Sequence, residues 1–141
     1  MLFRSEEAPR IDRFLVMVQR EVGERLAAQP GTKAYGAVSV KVAYFADAEV
    51  VGSVPPEVFV PRPNVDSALV ALTRRPPPVH VADPDRLFSL VRAGFATRRK
   101  TLRRALAAEV DDAAFAAAGI DPGARAETLS LEQWAALAVV A

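Results

Sequence analysis

The sequence has no cysteine and a single histidine, and these absences exclude several kinds of site. Without cysteine there are no disulfides and no thiolate metal ligands. One histidine, His80, is too little for a zinc site or a Ser-His-Asp triad, so we assign it no role. No apolar run approaches the roughly 20 residues that cross a bilayer, and Glu6-Glu7 comes too early for a signal peptide. We expect a cytoplasmic protein with no metal and no membrane partner.

The net charge is also small: 18 basic and 17 acidic residues give a formal charge of +1. This balance excludes a uniformly basic coat for nucleic acid but allows a local basic patch. Hydrophobic residues make up 51% of the chain and charged residues 25%, which is typical of a folded protein. A length of 141 residues suits one modest domain or two small pieces.

The first part of the chain has the pattern of an α/β protein. The apolar run Phe14-Leu15-Val16-Met17-Val18 predicts a strand over residues 11–18, buried on both faces as in a parallel sheet. Residues 19–28 follow as a helix, with Val22 and Leu26 on one face. A strand leading directly into a helix is half of a βαβ unit. Such a strand needs neighbouring strands to be stable.

Residues 34–46 leave two alternatives open. Valines at every second position favour a strand, but the segment is also long enough for a helix that buries most of its surface. Residues 49–54 and 65–72 predict two further strands, rich in valine and leucine.

The run Arg74-Arg75-Pro76-Pro77-Pro78 is the clearest boundary, because consecutive prolines form a stiff, extended linker. Alanine dominates beyond it and strand patterns end. Helices are predicted there at residues 84–96, 98–109, 112–118 and 130–139. Ser130 with Gln133 three residues later forms a capping-box pattern. The predicted organisation is an α/β unit over residues 1–75, a linker over 76–82 and a small all-α unit over 83–141.

Basic residues cluster in one stretch that contains no acidic residue. The six are Arg92, Arg98, Arg99, Lys100, Arg103 and Arg104. On a helix, pairs four apart within this set share a face and repel one another. Phosphates would relieve that repulsion and release counterions. The alternative is a solvated face with no ligand. In either case, contacts between basic side chains and phosphates do not recognise particular bases.

A proline-rich loop, residues 59–67, contains Phe59 followed by Pro61 and Pro63. An aromatic ring held on such a loop loses little entropy and could stack on a flat base. The alternative is that Phe59 is a core aromatic at the end of a strand.

Five blocks in order along the chain resemble the bacterial 16S rRNA adenine N6,N6-dimethyltransferases. They are Met17-Val18-Gln19-Arg20-Glu21-Val22; Lys33-Ala34-Tyr35-Gly36 with Ser39-Val40; Phe59-x-Pro61-x-Pro63-x-Val65-Asp66-Ser67; Phe95-x-x-Arg98-Arg99-Lys100-Thr101-Leu102; and Arg125-Ala126-Glu127 with Leu129-Ser130. Each block alone is weak or moderate, but five with family-like spacing are strong. One departure is Arg104, where the family has a polar residue, often Asn.

The resemblance implies the C-terminal portion of a Rossmann-like methyltransferase domain followed by a small helical rRNA-binding domain. It favours a helix for residues 34–46. The implied reaction transfers methyl groups from S-adenosylmethionine to N6 of two adjacent adenines in small-subunit rRNA, and the implied partner is that rRNA in the 30S precursor, bound by a monomer. Phe59 would stack on the target adenine, with Pro61 and Pro63 fixing it. The implied phosphate contacts are Arg98, Arg99, Lys100, Arg103 and Arg104.

The family's glycine-rich donor loop, its acidic ribose-binding residue and its Asn-Leu-Pro-Tyr motif lie upstream of blocks like these. None occurs in this sequence, and Gly31, Gly36 and Gly52 form no G-x-G pattern after a strand. We therefore expect the chain alone to lack catalytic and cofactor-binding residues, to bind S-adenosylmethionine poorly and to be inactive. The competing hypotheses are a non-catalytic rRNA- or ribosome-binding module and a small helical protein with no RNA role.

Overall fold

The computed structural model describes residues 10–141, and the Glu6-Glu7 pair considered in the sequence analysis lies outside the described residues. Three strands and six α-helices occur in this part of the chain. In order they are β1 (Arg13–Gln19), α1 (Arg20–Leu26), α2 (Ala37–Phe45), β2 (Ala46–Val54), β3 (Ser67–Arg74), α3 (Pro84–Ala96), α4 (Leu102–Ala105), α5 (Asp112–Ala118) and α6 (Leu131–Val140). Two 3₁₀ turns lie at Pro56–Val58 and Ala126–Thr128. The predicted α/β class is confirmed, and no helix within residues 10–141 is long and apolar enough to cross a membrane.

The sheet has the order β1-β3-β2, and both outer strands pair antiparallel with β3. The prediction that β1 is buried on both faces in a parallel sheet was therefore wrong. Alternate residues of β1 are exposed, Leu15 by 65% and Met17 by 51%, while Phe14 and Val16 pack against the sheet core. Within residues 10–141, β1 lies at the edge of the sheet, where an antiparallel strand needs only one buried face.

The register brings the ends of β1 and β2 together. Gln19 and Val54, the last residues of these strands, both pair with Ser67, the first residue of β3. Because β1 and β2 both run against β3, they run parallel to each other. Their carboxyl ends therefore share one edge of the sheet, and the proline-rich loop crosses that edge.

Helix α2 settles the ambiguity of residues 34–46 in favour of the helix. Val42 packs with Val70 and Leu72 of the sheet. Val40 and Tyr44 belong instead to the larger apolar cluster formed with the helices that follow the linker. The valine alternation was misleading because α2 is covered on both sides, which leaves little polar surface to mark a helical period.

Three of the four helices predicted after the linker are confirmed. α3 and α5 have the predicted bounds, and their N-terminal amides are capped by Asp83 and Asp111. Gly119 ends α5 with φ +70°, in the left-handed region that favours glycine. Ser130 and Gln133 form the predicted capping box at the start of α6.

The long basic helix predicted over residues 98–109 was wrong, since α4 has only four residues. The Lys100 amide closes a turn on the Thr97 carbonyl at 2.9 Å. The amides of Leu102 and Arg103 donate to the carbonyls of Ala124 and Pro122, at 2.8 and 3.0 Å. These distant carbonyls satisfy the first amides of α4 and allow a new helix to begin there. The helix-face pairing expected for the basic residues therefore does not form.

Candidate nucleic-acid interface

The proline-rich loop is braced at both ends. It follows the Pro56–Val58 turn, where the Phe59 amide donates to the Pro56 carbonyl at 3.2 Å. Arg62 forms an ion pair of 2.8 Å with Glu57 across the loop, and the Val60–Pro61 peptide is cis. Phe59 is thus held on a closed turn by hydrogen bonds and proline rings.

The same loop is attached to the junction between β1 and α1. The Arg20 amide donates to the Asp66 carbonyl at 2.9 Å, and the Arg20 guanidinium lies 3.6 Å from the Asp66 carboxylate. This attachment places the loop at the shared carboxyl edge of β1 and β2. In open α/β sheets, ligands bind outside the carboxyl ends of the strands.

The ring of Phe59 is half-buried and belongs to neither apolar cluster of the described residues. The neighbouring Val60 is 99% exposed. Pro61 is exposed and Pro63 is half-buried. The arrangement favours a ring that remains accessible over the alternative of a core aromatic.

The basic segment, residues 98–104, lies in the turn after α3 and along α4. Arg99, Lys100 and Arg104 are exposed, and no residue within the described 10–141 forms a hydrogen bond or ion pair with their side chains. Arg103 is also exposed, but its Nε lies 3.0 Å from Asp112. Three of the predicted phosphate contacts are therefore free cations within this part of the chain, and one is partly neutralised.

Arg98 has a different environment from its neighbours. Its Nη2 donates to the carbonyls of Lys33 and Tyr35, at 2.7 and 2.9 Å, and lies 3.6 Å from the Glu127 carboxylate. Sequence reasoning missed this arrangement because the partners are 63 and 65 residues away. The pairing of Glu127 with Arg98 was not predicted either, although both residues occur in blocks that the resemblance singled out.

Tyr35 is buried beside Arg98 and connects the loop between α1 and α2 to the segment before α6. Its hydroxyl donates to the Leu129 carbonyl at 2.6 Å, and its ring meets Phe95 edge to face at 5.8 Å. Burial, and secondarily the negative charge of Glu132, raises the pKa of Tyr35 well above its usual value. The phenol therefore remains a neutral hydrogen-bond donor.

Comparison with known proteins identifies the chain's relatives. The family model described as "Ribosomal RNA adenine dimethylase" matches residues 1–141. The chain belongs to the ribosomal RNA adenine dimethylase family. It is 48% identical over 142 residues to proteins named "Ribosomal RNA small subunit methyltransferase A" from Bacillus mycoides and Bacillus anthracis, a match covering 94% of this chain and 49% of each relative. It thus spans about half the length of these relatives.

Two solved structures have a similar fold. A dimethyladenosine transferase from Plasmodium falciparum superposes with a TM-score of 0.78 at 20% identity, covering 96% of this chain and 59% of that one. The 23S rRNA methyltransferase ErmE gives a TM-score of 0.70 at 26% identity, covering 99% and 58%. The first of these likenesses is evidence for the fold alone.

Membership of a methyltransferase family implies S-adenosylmethionine as the methyl donor, and two features of the described residues bear on whether they could hold it. The junction between β1 and α1 is Gln19-Arg20, without a glycine-rich turn. The Arg20 amide, which a donor would need at this helix start, already bonds to Asp66. The described residues therefore do not fit the cofactor. Within them, no group of three or more His, Cys, Asp or Glu side chains is arranged to hold a metal.

Proposed function

We propose that this chain is the RNA-binding and base-positioning half of an rRNA adenine dimethyltransferase. The complete enzyme would dimethylate N6 of two adjacent adenines in small-subunit rRNA, with S-adenosylmethionine held by residues outside this chain. The observation that carries the proposal is Phe59, an accessible ring on a braced loop at the shared carboxyl edge of β1 and β2. Family membership supports the reaction class.

In this proposal the target adenine leaves its stack and lies against the ring of Phe59. Pro61 and Pro63 keep the loop in one conformation, so little entropy is lost when the base binds. A neutral aromatic amine is a poor nucleophile, and holding it at a fixed position is a large part of what a protein can contribute. Phe59 would therefore act mainly on turnover.

The basic segment would contact rRNA phosphates through Arg99, Lys100, Arg103 and Arg104. Among residues 10–141, the one acidic side chain that pairs with any of these four is Asp112, which contacts Arg103. Contacts of this kind position the RNA without reading its sequence. The proposed partner is small-subunit rRNA in the 30S precursor, bound by a monomer in the cytoplasm.

The test compares the 141-residue chain with the complete gene product that carries it. Each is incubated with unmethylated 30S particles and labelled S-adenosylmethionine, and N6,N6-dimethyladenosine is measured by mass spectrometry of the digested rRNA. We expect the modified base only with the complete protein, and fully methylated particles are the matched control. Dimethyladenosine produced by the 141-residue chain would contradict the expectation that the chain alone is inactive. No product from the complete protein would overturn the proposed reaction.

The second candidate is a non-catalytic rRNA-binding module, favoured by the free cations of Arg99, Lys100 and Arg104 on a folded helical unit. It predicts that the 141-residue chain binds rRNA in a salt-dependent manner without any donor. It is distinguished from the enzyme by the same assay, because a module would leave the 30S particles unmodified in both arms.

A further inference from the structure

We propose that Lys33, on the loop between α1 and α2, is a further phosphate-contacting residue, and that Arg98 is the positioning residue that holds Lys33 beside the basic segment. This inference rests on the proposed RNA-binding role. It extends the RNA surface from the helical unit onto the loop between α1 and α2.

Arg98 is already engaged by the protein itself. Both hydrogen-bond donors of its Nη2 are directed to backbone carbonyls, those of Lys33 and Tyr35. The Glu127 carboxylate, 3.6 Å away, offsets the guanidinium charge. An RNA phosphate would have to compete with that carboxylate, so Arg98 is a weaker phosphate ligand than the neighbouring Arg99.

The bonds of Arg98 form part of a larger attachment. The Gly31 amide donates to the Glu127 carbonyl at 2.7 Å, and the Tyr35 hydroxyl donates to the Leu129 carbonyl at 2.6 Å. These two bonds attach residues 31 and 35 of the loop to the segment before α6, and the Arg98 bonds attach residues 33 and 35 to the turn after α3. The loop therefore holds a fixed position against the helical unit.

Lys33 lies in the middle of that attached loop and is exposed. Its backbone oxygen is 2.7 Å from Arg98, which is followed directly by the free cations Arg99 and Lys100. Within residues 10–141, no acidic side chain pairs with the Lys33 ammonium group. Within the described residues Lys33 is the fourth unpaired cation of this region, after Arg99, Lys100 and Arg104, and holding it there costs coulombic energy that the phosphates of a polyanion would offset.

The experiment measures binding of the 141-residue chain, over a range of salt concentrations, to a labelled small-subunit rRNA hairpin that carries two adjacent adenines. Lys33→Ala should weaken binding and lower the slope of log K against log salt by about 0.7 to 0.9, the loss of one phosphate contact. Arg98→Lys keeps the charge but loses the planar guanidinium fork that reaches the two carbonyls and the carboxylate. It should reduce the slope in the same way, and Lys33→Ala combined with Arg98→Lys should lose no more than Lys33→Ala alone.

Amide hydrogen exchange supplies a second measurement, which the loss of a direct phosphate contact would not change. Arg98→Lys should accelerate exchange at the Gly31 amide without RNA, whereas Lys33→Ala should leave it unchanged.

Two further variants serve as controls. Arg99→Ala is the control for the RNA surface itself and Arg13→Ala is the matched surface control. If Arg99→Ala flattens the slope and Lys33→Ala does not, the inference fails and the proposed function survives. If neither variant changes the slope, both fail. If Arg98→Lys preserves the slope and the Gly31 protection, Arg98 is not a positioning residue.

Discussion

The indole ring of Trp134 lies directly over Gly94, where α6 crosses α3. A Cβ built on Gly94 would come within 2.6 Å of Trp134 Cη2. Trp134 is completely buried, and its indole N–H has no hydrogen-bond partner within the described residues. The close approach of these two helices therefore depends on the absence of a side chain at Gly94.

Gly94→Ala should destabilise the chain by about 1 to 3 kcal/mol, since the added methyl group overpacks a fully buried contact. Urea unfolding followed by circular dichroism measures the loss. Trp134→Phe removes the clashing carbon and the unpaired N–H, so Gly94→Ala should cost much less in that background. Equal costs in the two backgrounds would show that the contact with Trp134 is not the cause. Gly36→Ala is a control, because an added Cβ there meets no atom within 4 Å.

Replacing Phe59 separates stacking from loop structure. In the complete enzyme, Phe59→Ala should lower turnover more than it lowers affinity for rRNA, because stacking positions the base while phosphate contacts supply most of the binding. Phe59→Leu keeps apolar volume without a π-face and should resemble Phe59→Ala in turnover. Steady-state kinetics with 30S particles provide both quantities. Equal loss of turnover and affinity would indicate that Phe59 is structural.

The two arginines Arg99 and Arg103 should differ in their contribution to RNA binding. Replacing both with alanine should weaken binding to the rRNA hairpin and flatten its salt dependence. The single change Arg99→Ala should have the larger effect, because Arg103 is already paired with Asp112 at 3.0 Å. Fluorescence anisotropy at several salt concentrations gives the slopes. An unchanged slope in the double variant would show that Arg99 and Arg103 do not contact RNA phosphates.

Tyr35 should make stability fall at high pH. Its pKa is raised in the folded state by burial, whereas an unfolded tyrosine titrates near about 10. Its contribution is therefore fully present below pH about 10. As the pH rises beyond that value, the unfolded chain loses the phenolic proton while the folded chain keeps it, so unfolding is favoured. The difference in unfolding free energy between the wild type and Tyr35→Phe should shrink from pH 8 to pH 11. A constant difference would contradict the raised pKa.

Local signals were sufficient for several elements. α3 and α5 have the predicted bounds, and local caps lie at three of their four ends: Asp83 and Asp111 at the two starts and Gly119 at the end of α5. Ser130 and Gln133 likewise identified the start of α6. The family resemblance, confirmed by the matches, also gave the α/β class and the helical conformation of α2.

The remaining features depend on contacts that are distant in sequence. The start of α4 at Leu102 depends on bonds from its first amides to the carbonyls of Ala124 and Pro122, which no local pattern reveals. The antiparallel pairing of β1 joins Gln19 to Ser67 across 48 positions. The carbonyls that bind Arg98 belong to a loop more than 60 residues upstream. A cluster of like charges therefore indicated where an interface could lie, but not which of its members are already used by the protein.

Helix α2 also limits how this chain can be divided. Its Val40 and Tyr44 complete the apolar cluster of the helical unit, although α2 precedes the proline-rich linker in sequence. A cut at the linker would leave Phe88, whose ring meets that of Tyr44 edge to face at 5.4 Å, facing water. The compositional border at the linker therefore does not coincide with the border of the larger apolar cluster. A shortened piece intended to bind RNA would need to keep α2, and with it the loop that carries Lys33.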